Sequence, residues 1–428
     1  MSIGGLIARI RRTADVVADV ARPSNGHRRP LGVDPTRKAI DLCRDLLSSR
    51  GEVVGGRLAS EAISVYQALD NAARGTFFDR LAKDFSPDPQ QVGAAGDAYR
   101  RNPSPENLAR LQVAVEAPRR ELFRRMILAP SGLDALVKMR AQLLADGKDN
   151  PAWTPIAADL AHLLTNWFNR GFLVLRRIDW RTSATVLEKL IQYEAVHQIV
   201  GWHDLRRRLE QDRRCYGYFH PALPDEPVIF IEAALTEGMS DNVRPLLDPD
   251  SPVLPPERAD TAIFYSITNC QKGLRGVPFG SFLIKQVAED LARELPRVRR
   301  FATLSPVPGF RAWLDRQATP ADVLNDKERL MPLCAHYLLN VKQGEEPADP
   351  VARFHLRNGA RLERINWMAN ASTEGLAKSA GLMVNYVYRL NEMEGNHELY
   401  TRHYKIAANW QMESLAKRAA LISPVTRP

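Results

Sequence analysis

The apolar residues of this chain change period once along its length, and that change constrains the fold more than any single motif. From Pro35 to about Met126 they recur at helical spacing. Asp34-Pro35 offers a cap followed by proline in the first turn, and Ile40, Cys43, Leu46 and Leu47 then share a face until Gly51 stops the run. Ala59, Ala62, Ile63, Tyr66 and Leu69 mark a second helix, Phe77, Phe78, Leu81 and Phe85 a third, and Leu108, Leu111 and Val115 a fourth. These faces make a helical bundle without a fixed-period repeat. The LAPSG break ending at Gly132 is the expected boundary. Helical patterning continues through LAHLLTNWFNRG, and then FLVLRRI, CYGYF, PVIFIEAAL, TAIFYSIT and RFATLS follow as short β-branched or aromatic runs, with helices between several of them. The expected organisation is a lead-in over 1–34, an all-α unit over 35–129 and an α+β unit over 130–428 whose mixed sheet leaves an open cleft.

Several classes of function fall away on composition. No window approaches the roughly 18 to 20 apolar residues of a membrane span. The Arg-rich lead-in contains Asp15 and Asp19 and lacks a secretory h-region, so a cytoplasmic location is expected. Cys43, Cys215, Cys270 and Cys334 stand singly, which fits neither a zinc ribbon nor a disulfide framework and suits a reducing compartment. A net charge of +9 admits nucleic acid, but the basic residues are interleaved with acids, and an anionic small ligand fits equally well.

Three places could carry chemistry. From Thr261 to Leu291 an apolar strand leads into a loop containing Gly273, Gly276 and Gly280 with Lys272 and Arg275, and then into a helix. Free backbone N–H groups at such a helix start can receive pyrophosphate, although a plain turn explains the glycines too, and neither a Walker ending nor a dinucleotide fingerprint is present. Ser266 lies inside that strand without a G-x-S-x-G elbow around it. His355 opens the segment FHLRNGARLERINWMAN, where Arg357, Asn358, Arg361, Arg364, Asn366 and Asn370 supply more donors than a core would tolerate unless a ligand or a network satisfies them. HELYTRH, from His397 to His403, fails as a metalloprotease helix because Thr401 stands where the second ligand belongs, so no metal site is expected.

FYSITNCQKGLRGVPFGSFLIK, SPVPGFRAWL, FHLRNGARLERINWMANAS and GLAKSAGLMVNYVYRL, in that order, resemble the malonyl-CoA decarboxylase family, with the segment from IQYEAVH to EAALT agreeing upstream. The resemblance runs from about Leu42 to about Tyr404. It implies a helical oligomerisation domain, a dimer or tetramer formed through it, and a catalytic domain of acetyltransferase-like (GNAT) fold. By the same resemblance, Gly238, Met239, Ser240, Asp241, Asn242, Val243 and Arg244 form one acyl-CoA-binding segment. Gln271, Lys272, Gly273, Leu274, Arg275 and Gly276 form another. Ser266 and His355 fall on the family's catalytic pair, and Tyr388 matches a tyrosine lining its site. Two departures stand out: the chain ends SPVTRP instead of the Ser-Lys-Leu of animal members, and the glycine loop keeps the acetyltransferase phosphate pattern only loosely.

The implied reaction converts malonyl-CoA to acetyl-CoA and carbon dioxide with no metal, biotin or pyridoxal. The protein must hold the carboxylate out of the thioester plane, stabilise an enolate and protonate C2. His355, with an ordinary imidazole pKa near 6.5, is the expected proton donor. Ser266 either hydrogen-bonds the departing carboxylate or relays a proton, Tyr388 is a candidate for the enolate or carboxylate contact, and Lys272 with Arg275 meets the CoA pyrophosphate. The rival readings are a CoA-dependent acyltransferase of the same fold and a basic protein that binds nucleic acid or partner helices; the family reading involves neither nucleic acid nor a membrane.

Overall fold

The computed structural model describes residues 34–279 and 283–422, so nearly all of the expected lead-in, and Gly280 of the glycine loop, lie outside the described residues. Helix Pro35–Ser48 starts where the aspartate-proline pair predicts: the Asp34 carboxylate accepts from Thr36 N at 3.0 Å. With helices Glu52–Ala68, Asn71–Asp84 and Pro118–Met126 it packs around Leu46, Phe77, Phe78, Leu81 and Phe123, all buried. Helices Pro89–Arg101 and Pro105–Val115 pair as a hairpin that buries none of its side chains and exposes Leu108, Val113 and Val115. The expected break at 129 falls between two helices, and helices Gly132–Asp146 and Thr154–Trp167 continue the helical layer. Gly132 permits the tight junction, since a Cβ there would sit 2.2 Å from Met126 O.

The strands are β1 (Val174–Ile178), β2 (Arg213–His220), β3 (Leu223–Thr236), β4 (Thr261–Asn269), β5 (Arg300–Thr303), β6 (Ser305–Pro306), β7 (Lys342–Gln343), β8 (Glu346–Pro347), β9 (Arg361–Asn366) and β10 (Met383–Tyr388). All but β7 and β8 join one sheet in the order β1-β2-β3-β4-β5-β10-β6, with β9 also on β10. Every pairing is antiparallel except β4 with β5, and that parallel contact runs only from Thr261 to Phe264 against Arg300 to Thr303. Leu304 N reaches Phe264 O at 3.0 Å, and there the strands part. β4 runs on to Asn269, while Ser305 and Pro306 turn to pair with Val384 and Met383 of β10, so a V-shaped gap opens in the sheet. A bulge tightens the bend: Glu232 pairs with Ser266 and Ala233 with Phe264, leaving Tyr265 as the extra residue. A helical layer followed by a mixed sheet splayed at its parallel pair is the expected acetyltransferase-like arrangement. Among the described residues no helix is long and apolar enough to cross a membrane.

Candidate active site

The gap between β4 and β6 leads into a cavity of about 580 Å³ whose walls include Ser266 on one side and Ser305 with His355 on the other. His355 lies in the last turn of helix Pro350–Arg357, which Asp349 caps by accepting from Val351 N and Ala352 N at 3.0 and 2.9 Å. Strand β10 forms the bed for its ring. The imidazole stacks on Tyr386 with centroids 4.6 Å apart, and its Nδ1 lies 2.7 Å from the Tyr388 hydroxyl. On the cavity side Nε2 lies 2.9 Å from Ser305 Oγ.

The hydrogens in this wall follow from its partners. Ser305 donates its one hydroxyl hydrogen to Thr303 Oγ1 at 2.9 Å, so His355 Nε2 carries a hydrogen and donates to Ser305. Nδ1 is then the acceptor, and Tyr388 the donor, of the remaining bond. The ring is only 3 % exposed, and burial pushes its pKa down to about 3. The sequence led to the expectation of a readily protonated imidazole; in this buried setting the neutral ring is favoured. Burial also raises the Tyr388 phenol well above its usual range, which keeps it a donor.

The opposite wall carries charge. Glu194 follows helix Ala184–Tyr193, and its Oε1 accepts from Val196 N at 2.7 Å and His197 N at 2.8 Å. Ser266 Oγ lies 2.9 Å from Oε1 and 2.7 Å from Oε2, and Thr268 Oγ1 is 3.4 Å from Oε2. Farther back, Arg208 binds Glu232 at 2.9 Å and Asp204 at 3.2 Å. Burial raises the Glu232 carboxyl to about 7 despite that guanidinium, and it lowers the neighbouring His197 to about 4.

Several expected site residues stand elsewhere than sequence placed them. Ser266 and His355 share a cavity, yet no hydrogen bond joins them among the described residues; the hydroxyl at the imidazole is that of Ser305. Tyr388 does not line the cavity, because His355 covers it, and it acts on the imidazole from behind. Nor do the residues from Gln271 to Gly276 form its wall. Gly273 fits against Val137 O, where a Cβ would come within 1.9 Å, and Arg140 Nη2 holds Arg275 O at 3.0 Å while Nη1 holds Gly273 O. Lys272 and Arg275 are exposed, and the wall is built by Val277, Pro278 and Phe279.

The loop from Gly238 to Arg244 lies away from this cavity. Its carbonyls at Met239 and Ser240 accept from Arg364 at 3.1 and 3.3 Å, and Ser240 O also from Asn385 at 3.1 Å. Asn242, Val243 and Arg244 instead line a second space of about 1160 Å³, which meets the first at Val196, Pro306 and Val351. Of the donors noted after His355, Arg364 and Asn366 serve a network, donating to Asn385 at 3.1 and 2.8 Å while Asn385 holds Thr303 O, whereas Arg357 and Asn358 line the cavity. Among the described residues no three His, Cys, Asp or Glu side chains gather at metal-ligand spacing.

Sequence reasoning passed over Ser305 and Glu194. Ser305 opens the SPVPG motif but had no chemical neighbour in sequence to single it out, and Glu194 sits in QYEAVH, 72 residues from the serine it meets.

Comparison with known proteins gives one family. The model of the malonyl-CoA decarboxylase C-terminal domain matches residues 171–329 and 321–423, and that of the N-terminal domain matches 85–168. Mitochondrial malonyl-CoA decarboxylase of Anser anser anser is 34% identical over 411 residues, 82% of this chain and 81% of that protein. The Rattus norvegicus enzyme is 34% identical over 415 residues, 83% of this chain and 84% of its own. The crystal structure of malonyl-CoA decarboxylase from Rhodopseudomonas palustris is 45% identical with a TM-score of 0.84, covering 89% of this chain and 99% of that one. The structure from Agrobacterium vitis is 42% identical with a TM-score of 0.83, covering 88% and 99%.

Proposed function

This chain belongs to the malonyl-CoA decarboxylase family, a family of carboxy-lyases, and from that premise we propose how its residues turn malonyl-CoA into acetyl-CoA and carbon dioxide. The observation that carries the reading is the neutral donor wall, Ser305 backed by His355 and Tyr388, facing a cavity that begins where β4 and β6 part. The pantetheine arm lies in that gap and the thioester sits at its apex. Arg353 on the cavity wall, with exposed Lys272 and Arg275 just past the end of β4, supplies positive charge for the CoA phosphates, whereas Arg357 on the same wall is paired with Glu346 at 2.7 Å.

Held out of the thioester plane, the carboxylate leaves as CO2 and its bonding pair passes into the thioester, whose oxygen becomes an enolate. The thioester is its own electron sink, so the reaction proceeds without a metal or an organic cofactor. Ser305 turns its hydroxyl from Thr303 toward the enolate while the Nε2 hydrogen of His355 stays behind it, and one proton taken from solvent is delivered to C2 through this wall. A neutral imidazole suits this work, because it donates to a developing oxyanion without drawing the substrate carboxylate into an ion pair. Tyr388 is a positioning residue that fixes the tautomer.

The helical layer serves self-association in this reading. Its hairpin of helices Pro89–Arg101 and Pro105–Val115 leaves Leu108, Val113 and Val115 exposed, which supports a homo-oligomer formed there. The reaction is tested by incubating the protein with malonyl-CoA and EDTA, without acceptor, biotin or nucleotide, and following acetyl-CoA and carbon dioxide together. Equal yields are expected, and intact malonyl-CoA would overturn the proposal.

A further inference from the structure

Decarboxylation at the apex yields two products of unequal size, and the first cavity gives the smaller one no way back. Acetyl-CoA keeps its pantetheine arm in the gap between β4 and β6, so the arm fills the approach by which malonyl-CoA entered. Carbon dioxide forms beyond the thioester end of that arm. Until it moves away it can recombine with the enolate, because the broken C–C bond leaves its electron pair on the thioester and the reverse step needs no other reactant.

The apex borders a second space. Val196, Pro306 and Val351 line both the cavity of about 580 Å³ and the space of about 1160 Å³ beyond it. Each is fixed beside a residue already described. Pro306 follows Ser305, and Val351 lies one turn before His355 on helix Pro350–Arg357, at the spacing that puts both on one face. Val196 is held by its N–H, which donates to Glu194 at 2.7 Å. All three residues are half-buried, so they border open volume instead of filling the core. The neck they form carries no side-chain donor or acceptor. A neutral molecule without a dipole crosses it at little cost, whereas a carboxylate or a phosphate would shed hydration with nothing to replace it.

Beyond the neck the lining changes. His197, Arg208, Asn242 and Glu374 border the second space, and exposed Val200 and Arg244 mark where it reaches solvent. His197 Nε2 is buried with no hydrogen-bond partner among the described residues, a lone pair that water entering this space would satisfy. A path thus runs from the apex through an apolar neck to a polar vestibule.

We propose that carbon dioxide leaves through the neck of Val196, Pro306 and Val351 into the second space, ahead of acetyl-CoA, which withdraws through the first cavity. This rests on the family reaction described above. Its service to catalysis is to make bond cleavage irreversible: once carbon dioxide has crossed the neck, only protonation remains open to the enolate.

The test begins with crystals of the unaltered protein holding acetyl-CoA and pressurised with xenon, an apolar probe. Xenon should settle in the neck, and its absence there overturns the proposal. Val351→Phe fills the neck while keeping the backbone N–H that donates to Asp349, and Val196→Phe takes its place if that variant fails to fold. The folded variant should lower kcat about tenfold, with acetyl-CoA affinity changed by less than about twofold. The carbon isotope effect at the departing carboxyl separates obstruction from a displaced substrate. Trapped carbon dioxide returns to the enolate, so the effect should fall toward unity, whereas a misplaced thioester slows cleavage itself and leaves the effect unchanged or larger. An unchanged kcat in the folded variant, or an isotope effect that does not fall, overturns the proposal. Failure of the family reading is a separate result, since the unaltered protein would then leave malonyl-CoA intact whatever the xenon shows.

Discussion

The two walls of the cavity present the same functional group, a serine hydroxyl, in opposite roles. Ser305 is backed by a neutral imidazole that gives it a hydrogen, and Ser266 by a carboxylate that takes one. The oxygen atoms are chemically alike. What separates them is the next residue out, so a donor at the apex is read from hydrogen-bond direction and not from the presence of a serine.

Changes to the donor wall should cost most. His355→Gln should lower kcat on the order of a hundred- to a thousandfold, the usual loss for one oxyanion donor, with the folded yield retained; activity within a few-fold of the original would break the distinction between the walls. Tyr388→Phe removes the bond to Nδ1 but not the ring packing, and should lower kcat about tenfold with KM unchanged, as for a residue that orients another. A rise in KM alone would place Tyr388 in substrate binding.

Smaller still is the expected effect of pH on turnover. An imidazolium donor would lose activity as pH rises through about 6.5, whereas a ring held neutral keeps kcat level from about pH 6 to 8. Stability carries the opposite mark. The unfolded chain binds a proton at each histidine below about 6.5, while the folded pKa values are about 3 for His355 and about 4 for His197. The two histidines outweigh Glu232, whose carboxyl, held up to about 7, keeps one extra proton in the folded state, so the unfolded state still holds more protons below about 6.5 and the melting temperature should fall as pH drops from about 6.5 toward 4. His355→Gln should flatten that slope; an unchanged slope would deny the burial assigned to the ring.

Much of this was legible in sequence. The helical period, the Asp34-Pro35 start and the strands from Val174 to Ser305 follow from local patterning, and His355 stood out by its company of donors. Strands β9 and β10 did not. Arg361, Glu363 and Arg364 make β9 look like surface, and only the network through Asn385 shows why such residues sit beside a central strand. Contacts of long sequence separation were also hidden: Ser305 meets His355 across 50 residues, and Gly273 serves Val137 of the helical layer where its pattern suggested phosphate. Spacing along a chain reports periodicity, but hydrogen-bond direction across a cavity exists only after folding.

The most direct measurement sets Ser305→Ala beside Ser266→Ala and follows acetyl-CoA formation from malonyl-CoA for each. The donor assignment predicts a loss on the order of a hundred- to a thousandfold for Ser305→Ala and a loss of about tenfold or less for Ser266→Ala. The reverse order would contradict it and return the catalytic hydroxyl to β4.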